Sequence, residues 1–127
     1  MTDRAEIEEL LLRLYAARVR GELAEVCAVF AEDAKFEIAG ASNVTPLAVT
    51  AVGVDKYRPL LEVMIRTFKL RNRETLSVLI DGTKAAVHWR ADVYSRITGT
   101  TVATELVDVI ETRGGRIASY TEFFVAR

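Results

Sequence analysis

The chain has 127 residues, of which 50% are hydrophobic and 28% are charged, a composition typical of one globular domain over residues 1–127. Its 17 basic and 18 acidic residues nearly balance, which argues against nucleic acid and membrane surfaces as partners. No apolar run approaches the roughly 20 residues that cross a bilayer. Because the N-terminus is also too polar for a secretory signal, we expect a cytoplasmic protein.

The N-terminal part of the chain predicts two helices. A capping box over residues 3–6 precedes apolar side chains at helical spacing from Ile7 to Ala17, and Gly21 is a natural end for this helix. A shorter helix begins at Leu23 and ends near Asp33. It carries the lone cysteine of the chain, which we interpret as a small buried side chain, since there is no second cysteine for a disulfide.

The middle of the chain predicts a strand, a loop and a third helix. Residues 35–39 alternate weakly and indicate a strand, whereas residues 40–53 read as a loop with a short strand through 47–52. The third helix begins between Asp55 and Pro59, where proline is tolerated because it lies in the first turn. We interpret the basic segment 66–73 as the solvated end of this helix.

The second half of the chain predicts four strands over residues 75–80, 84–96, 100–112 and 116–126. Asp81-Gly82, Thr98-Gly99 and Gly114-Gly115 supply the turns between them. Helices followed by a strand meander indicate the α+β class. We therefore predict three N-terminal helices packed on one curved, mostly antiparallel sheet.

The strand over residues 84–96 has a polar and an apolar face. His88, Arg90 and Asp92 share one face, while Trp89 lies on the other among alanine and valine side chains. Residues 102–110 carry apolar side chains on both faces. Because three helices cover only one face of such a sheet, we predict a homodimer formed through the sheet, with Trp89 in that interface or in the core.

The polar face of this strand is the candidate reaction centre. Glu122, on the last strand, is flanked on its own face by two aromatic side chains. If these residues line one pocket, Arg90 bridges Asp92 and Glu122, and two carboxyls in unlike settings form an acid/base pair with His88 nearby. The alternative is a structural ion-pair network or an exposed sheet margin. With a single histidine and a single cysteine, we predict no metal site and no cofactor.

Three segments, residues 26–36, 53–55 and 113–124, together with the element order, resemble the SnoaL-like group of the nuclear transport factor 2-like superfamily. The resemblance covers nearly the whole chain. It implies a cone-shaped (cystatin-like) domain with a pocket for a small apolar molecule between sheet and helices, and it makes sheet-mediated dimers common. The expected pocket-lining residues are Tyr15, Phe36, Ile38, Phe68, Val107, Tyr120 and Phe124.

Ketosteroid isomerases, one enzyme group of this superfamily, depend on three residues that can be compared with this chain. Their catalytic aspartate falls at Ile38, and their acidic hydrogen-bond donor falls near Val107. Their helix-one tyrosine aligns closest to Leu14, with Tyr15 one position away. Two of the three roles are therefore missing, which argues against that activity.

Limonene-epoxide-hydrolase-like enzymes match the chain differently. Their Arg-x-Asp motif corresponds to Arg90-Ala-Asp92, and their second aspartate corresponds to Glu122. By analogy Asp92 protonates a leaving oxygen, Glu122 activates water and Arg90 holds both carboxyls. Their water-positioning tyrosine and asparagine align with Phe36 and Ile38, so that part of the site is absent.

Polyketide cyclases of the SnoaL-like type use a pocket acid for proton transfer, a role that Asp92 or His88 could fill. Our first hypothesis is a cofactor-independent small-molecule enzyme of the hydrolase, isomerase or cyclase type, which uses Arg90, Asp92 and Glu122 on an apolar substrate. The alternative hypothesis is a non-catalytic dimer of the same fold that binds a ligand or another protein.

Overall fold

A computed structural model describes residues 4–40 and 48–126, and it confirms the predicted α+β architecture. The three helices are α1 (Arg4–Arg20), α2 (Leu23–Ala28) and α3 (Val54–Thr67). The six strands are β1 (Phe30–Gly40), β2 (Ala48–Val52), β3 (Phe68–Asp81), β4 (Lys84–Ser95), β5 (Thr101–Arg113) and β6 (Arg116–Ala126). None of the helices in the described ranges combines the length and the apolar character that a bilayer crossing requires.

All six strands form one sheet in the order β2-β1-β6-β5-β4-β3. The strands β3 to β6 make the predicted antiparallel meander, and β2 pairs antiparallel with β1. The strand β1 pairs with β6 in parallel. This parallel pairing joins the N-terminal half of the chain to its last strand, so the sheet is continuous across the molecule.

Two element boundaries differ from the prediction. The helix α2 ends at Ala28, and β1 already begins at Phe30 because that ring is buried among aromatic neighbours in the core. The strand β3 begins at Phe68 instead of residue 75, since the backbone becomes extended there, so most of the basic segment is strand and not helix. The first part of the predicted capping box and residues 41–47 of the predicted loop lie outside the described residues.

The helices cover the inner face of the sheet and form the core with it. The apolar stripe of α1 from Ile7 to Ala17 is buried, as predicted. Trp89 has no exposed surface and makes an edge-on contact with the ring of Tyr15 at a centroid distance of 5.6 Å. Of the two locations predicted for Trp89, the structure therefore selects the core.

A bulge in β3 shapes the edge of the sheet next to α1. The register with β4 shifts between Arg71 and Glu74, and Asn72 has a φ of 53°, a conformation that asparagine tolerates better than most residues. The extra residue changes the alternation of the strand. As a result, Arg73 lies over aromatic rings of the inner layer.

Candidate functional site

The predicted reaction centre is not assembled. Arg90 is exposed, and its Nε and Nη2 donate to Oε2 of Glu74 at 3.1 and 2.7 Å. Asp92 accepts a hydrogen bond from Asn72 Nδ2 at 2.9 Å. Glu122, in contrast, is buried with 4% of its surface exposed. The prediction that Arg90 bridges Asp92 and Glu122 is therefore wrong.

The error lies in the orientation of β4. Its side chains alternate as predicted, but the apolar face with Val87 and Trp89 points to the helices and is buried. The polar face lies on the outside of the sheet, where Nε2 of His88 is 3.3 Å from Glu105. An apolar strand face is stabilised by burial, which is why this orientation prevails over one that would bury three charged or titratable groups.

The predicted pocket-lining residues separate into three groups. Phe36 and Tyr120 are buried and stack with their centroids 5.4 Å apart, while Ile38 and Phe124 are partly buried and pack against the core. Tyr15 is buried and lines a groove described below. Phe68 and Val107 are 45% and 37% exposed. Val107 lies on the outer face of β5 and Phe68 at the start of β3, and neither lines the groove described below.

The polar cluster that the structure does assemble is centred on Asp108. This carboxyl has no exposed surface, and its Oδ2 lies 2.5 Å from the hydroxyl of Tyr15, 2.5 Å from that of Tyr120 and 2.7 Å from Nε1 of Trp89. Oδ1 of Asp108 has no hydrogen-bond partner among the described residues. One oxygen of the carboxyl is thus crowded with partners while the other is unpaired.

A second buried carboxyl lies directly across the β5–β6 pair, where Asp108 and Glu122 are register partners. Nη1 of Arg18 is 2.5 Å from Oε2 of Glu122 and 3.0 Å from the hydroxyl of Tyr120. The same Tyr120 hydroxyl is 3.1 Å from Oε2 of Glu122. Tyr120 therefore stands between the two carboxyls and contacts both.

The proton count of the cluster favours a neutral Asp108. The cluster contains four contacts: Tyr15, Trp89 and Tyr120 each contact Asp108, and Tyr120 also contacts Glu122. These three side chains carry one donatable proton each, which makes three protons for four contacts. One further proton is needed for every contact to be a hydrogen bond. Because Glu122 is ion-paired with Arg18, the extra proton belongs on Oδ2 of Asp108, which then donates to Tyr120 while Tyr120 donates to Glu122.

The electrostatic environment agrees with this assignment. Burial, followed by the negative charge of Glu122, raises the pKa of Asp108 from 3.8 to about 8, although Arg18 and the two tyrosine hydroxyls act in the opposite direction. Burial and then the Asp108 charge raise the pKa of Tyr15 and of Tyr120 well above the ordinary tyrosine value. Both phenols consequently remain hydrogen-bond donors at neutral pH.

The local sequence explains how these side chains meet. Tyr15 and Arg18 are three residues apart on α1 and so share one helical face. Tyr120 and Glu122 are two residues apart on β6, and Asp108 has the parity of the buried residues of β5. The alignment with ketosteroid isomerases missed Tyr15 and Asp108 by one position each, at Leu14 and Val107. Burial parity along β5, where Asp108 lies between two apolar residues of the same face, is the signal that identifies it.

A groove of about 800 Å³ lies between α1 and the strands β3 and β4, within the size range of small-molecule sites. Its lining includes Leu11, Tyr15, Val19, Arg73, Val78 and Val87. Tyr15 belongs to both the groove and the cluster, because it lines the groove and its hydroxyl contacts Asp108. Among the described residues no group of three or more histidine, cysteine or acidic side chains is placed to hold a metal ion.

Comparison with known proteins identifies the family of this chain. The SnoaL-like domain matches residues 11–120, whereas no curated protein matches the chain. Similar solved structures include a candidate isomerase from Bacillus subtilis, which is 20% identical with a TM-score of 0.84 and coverage of 98% of this chain and 90% of that one. An NTF2-like protein from Burkholderia xenovorans is 24% identical with a TM-score of 0.80 and coverage of 98% and 93%.

A third similar structure contains a small molecule. It is a protein with a ketosteroid isomerase-like fold from Catenulispora acidiphila in complex with trimethylamine, 15% identical with a TM-score of 0.71 and coverage of 90% and 83%. Identities this low establish the fold alone. Because the family match spans most of the sequence, however, this chain belongs to the SnoaL-like domain family and has the nuclear transport factor 2-like fold.

Proposed function

We propose that this protein is a cofactor-independent enzyme of the isomerase type, which moves a proton between two carbon atoms of an apolar small molecule. The observation that carries the proposal is the asymmetry of Asp108. Its Oδ2 contacts the hydroxyls of Tyr15 and Tyr120 and the indole nitrogen of Trp89, while its buried Oδ1 has no partner in the described ranges 4–40 and 48–126. An unpaired buried acceptor in an otherwise connected network requires an explanation, and a reacting proton supplies one.

The proposed chemistry uses a relay through Tyr120. Oδ1 of Asp108 accepts a proton from a substrate carbon as the Oδ2 proton passes to the hydroxyl of Tyr120, whose own proton passes to Oε2 of Glu122. The C–H bond breaks, its electron pair stays on the substrate, and Glu122 ends protonated. Reversal of the relay returns a proton to a different carbon, which completes the isomerisation.

The environment of Asp108 suits this role. A carboxyl with a pKa of about 8 exchanges protons readily at neutral pH, because a general base works best when its pKa is near the operating pH. Once the proton has reached Glu122, the positive charge of Arg18 balances the negative charge that the electron pair leaves on the substrate. These two unlike carboxyls replace the pair of Asp92 and Glu122 that the sequence predicted.

The position of the cluster in the fold is a further argument. Tyr15 and Asp108 lie one residue from the positions that the resemblance assigns to the helix-one tyrosine and acidic donor of ketosteroid isomerases. Ile38, at the position of their catalytic aspartate, is the register partner of Glu122 on the neighbouring strand. The candidate isomerase from Bacillus subtilis has the same fold, which supports this reaction class for the present chain.

Exchange of carbon-bound hydrogen tests the proposal directly. Apolar ketones with acidic α-hydrogens, such as cyclohex-3-enone, are incubated with the protein in D₂O, and deuterium incorporation and double-bond migration are followed by NMR. Asp108→Asn should reduce the rate by about 10²–10⁴-fold, the usual contribution of a positioned base, and Tyr120→Phe should also slow it. Asp92→Asn makes the same chemical change on the outer face and serves as the control. Equal rates in wild type and Asp108→Asn would refute the assignment.

A non-catalytic ligand-binding function is the second candidate. It is favoured by the complete burial of Asp108, since a substrate reaches Oδ1 only after neighbouring side chains move. In that case ligands stabilise the protein in a thermal-shift assay while their carbon-bound hydrogens exchange no faster than in buffer. The NMR experiment therefore distinguishes the two candidates with the same compounds.

The outer face of the sheet is the proposed site of homodimer formation. Val107, Val109 and Phe123 are 37%, 46% and 45% exposed there, next to the charged pairs of Arg90 with Glu74 and of His88 with Glu105. An apolar patch with a polar surround is typical of subunit interfaces.

A further inference from the structure

Arg73 is an unusual residue of the groove. The β3 bulge places its guanidinium over the inner aromatic layer, with Cζ 3.8 Å from the ring centroid of Tyr15 and 4.7 Å from that of Trp89. Stacking of this kind stabilises a cation and holds the plane of the guanidinium in a fixed orientation. The side chain is therefore positioned as a recognition group and not as a solvated surface charge.

The hydrogen bonds of Arg73 are incomplete. Nη1 donates to Oγ1 of Thr75 at 3.0 Å, but Nε and Nη2 are buried and have no partner within the described part of the chain. These two nitrogens form one edge of the guanidinium, and their N–H groups point the same way. Buried donors without partners destabilise a folded protein, so a ligand in the groove that accepts from both, once the guanidinium shifts toward it, removes that cost.

The charged groups around Arg73 leave its positive charge without a neutralising anion in the described residues. Arg18 is neutralised by Glu122, and the proton count leaves Asp108 neutral. No carboxylate in residues 4–40 or 48–126 lies within ion-pair distance of Arg73. Burial lowers the pKa of Arg73 below its ordinary value, and the positive charge of Arg18 acts in the same direction. Arg73 is thus a partly buried cation without a counter-ion among the described residues.

We propose that the groove between α1, β3 and β4 binds a small organic carboxylate with an apolar body, whose two oxygens accept hydrogen bonds from Nε and Nη2 of Arg73. The bidentate geometry of a carboxylate matches one edge of a guanidinium. The apolar body packs against Leu11, Val19, Val78 and Val87, which line the same groove. This inference rests on the proposed function in taking the groove as the way to Asp108, and it identifies the substrate class as an apolar carboxylic acid.

Calorimetric titration with octanoate and its neutral analogue octanamide tests the inference. The wild-type protein should bind octanoate at least tenfold more tightly than octanamide, since two charge-assisted hydrogen bonds distinguish them. Arg73→Met should remove that preference, and Arg73→Lys, which keeps the charge but lacks the two-donor edge, should give an intermediate affinity. Arg71→Met, at the exposed neighbour in the same bulge, is the control and should bind as the wild type does.

The outcomes separate this inference from the proposed reaction. Equal affinity for octanoate and octanamide, no measurable binding of octanoate, or unchanged octanoate affinity in both Arg73 variants overturns the carboxylate site. The Asp108→Asn variant should still bind octanoate, although it no longer accelerates the exchange of carbon-bound hydrogens in the ketone assay. If the wild type binds octanoate but does not exchange the carbon-bound hydrogens of cyclohex-3-enone, the proposed reaction is contradicted and the carboxylate site is retained.

Discussion

Replacing Asp108 by asparagine should reduce the slope of the free energy of unfolding against pH by the contribution of one proton. A carboxyl whose pKa rises from 3.8 in the unfolded chain to about 8 on folding binds its proton more tightly in the folded state. The free energy of unfolding therefore falls as the pH rises through this window and levels off above it. One proton corresponds to about 1.4 kcal/mol per pH unit, so the wild type should lose about 3 kcal/mol between pH 5 and pH 7.

Urea denaturation at several pH values between 5 and 8 measures this slope. Asparagine is neutral at every pH, so the Asp108→Asn curve should be flatter than the wild-type curve by one proton and should approach or cross it as the pH rises. Asp92→Asn, on the outer face, should keep the wild-type slope. Parallel curves for wild type and Asp108→Asn would show that Asp108 is ionised in the folded protein and would remove the basis of the proposed relay.

Three further substitutions probe the cluster and the sheet. Arg18→Met leaves the buried carboxyl of Glu122 without its cation and should destabilise the fold by about 3–5 kcal/mol in urea denaturation at pH 7. Trp89→Phe removes an indole donor and part of the core volume and should cost about 2–4 kcal/mol in the same assay. Val109→Lys should shift the sedimentation coefficient from dimer to monomer, whereas Val63→Lys, at an exposed position on α3, should not.

The fold was predictable because its elements have strong local patterns. The apolar spacing of α1, the glycine-containing turns and the four strands of the meander each follow from neighbouring residues. The parallel pairing of β1 with β6 joins residues about 85 positions apart, and no local pattern indicates it. The boundary of β3 was missed because segment 66–73 alternates poorly. Its bulge at Asn72 interrupts the period that would identify a strand.

The site was mispredicted for a physical reason that concerns one strand. The alternation along β4 is clear, but alternation alone does not say which face is buried. The resemblance to an Arg-x-Asp motif led us to predict that the polar face is buried. The structure buries the apolar face instead, with Trp89, Val87 and Ala91. Asp108 was overlooked because both faces of β5 carry apolar residues and Asp108 is the only acid on its face, and a lone charge in such a strand is usually exposed.

The buried cluster is difficult to explain as a device for stability alone. Apolar side chains of similar volume at the positions of Arg18, Asp108 and Glu122 would be expected to pack at least as favourably, since buried ion pairs repay little more than their desolvation. A network kept only for rigidity would also satisfy all its atoms, yet within the described part of the chain Oδ1 of Asp108 has no partner, nor have Nε and Nη2 of Arg73. Both residues contact Tyr15, whose hydroxyl bonds Oδ2 of Asp108 and whose ring lies under the guanidinium of Arg73. Tyr15 lines the groove and bonds the buried carboxyl, and this shared side chain is the strongest reason to regard the groove and the cluster as a single site.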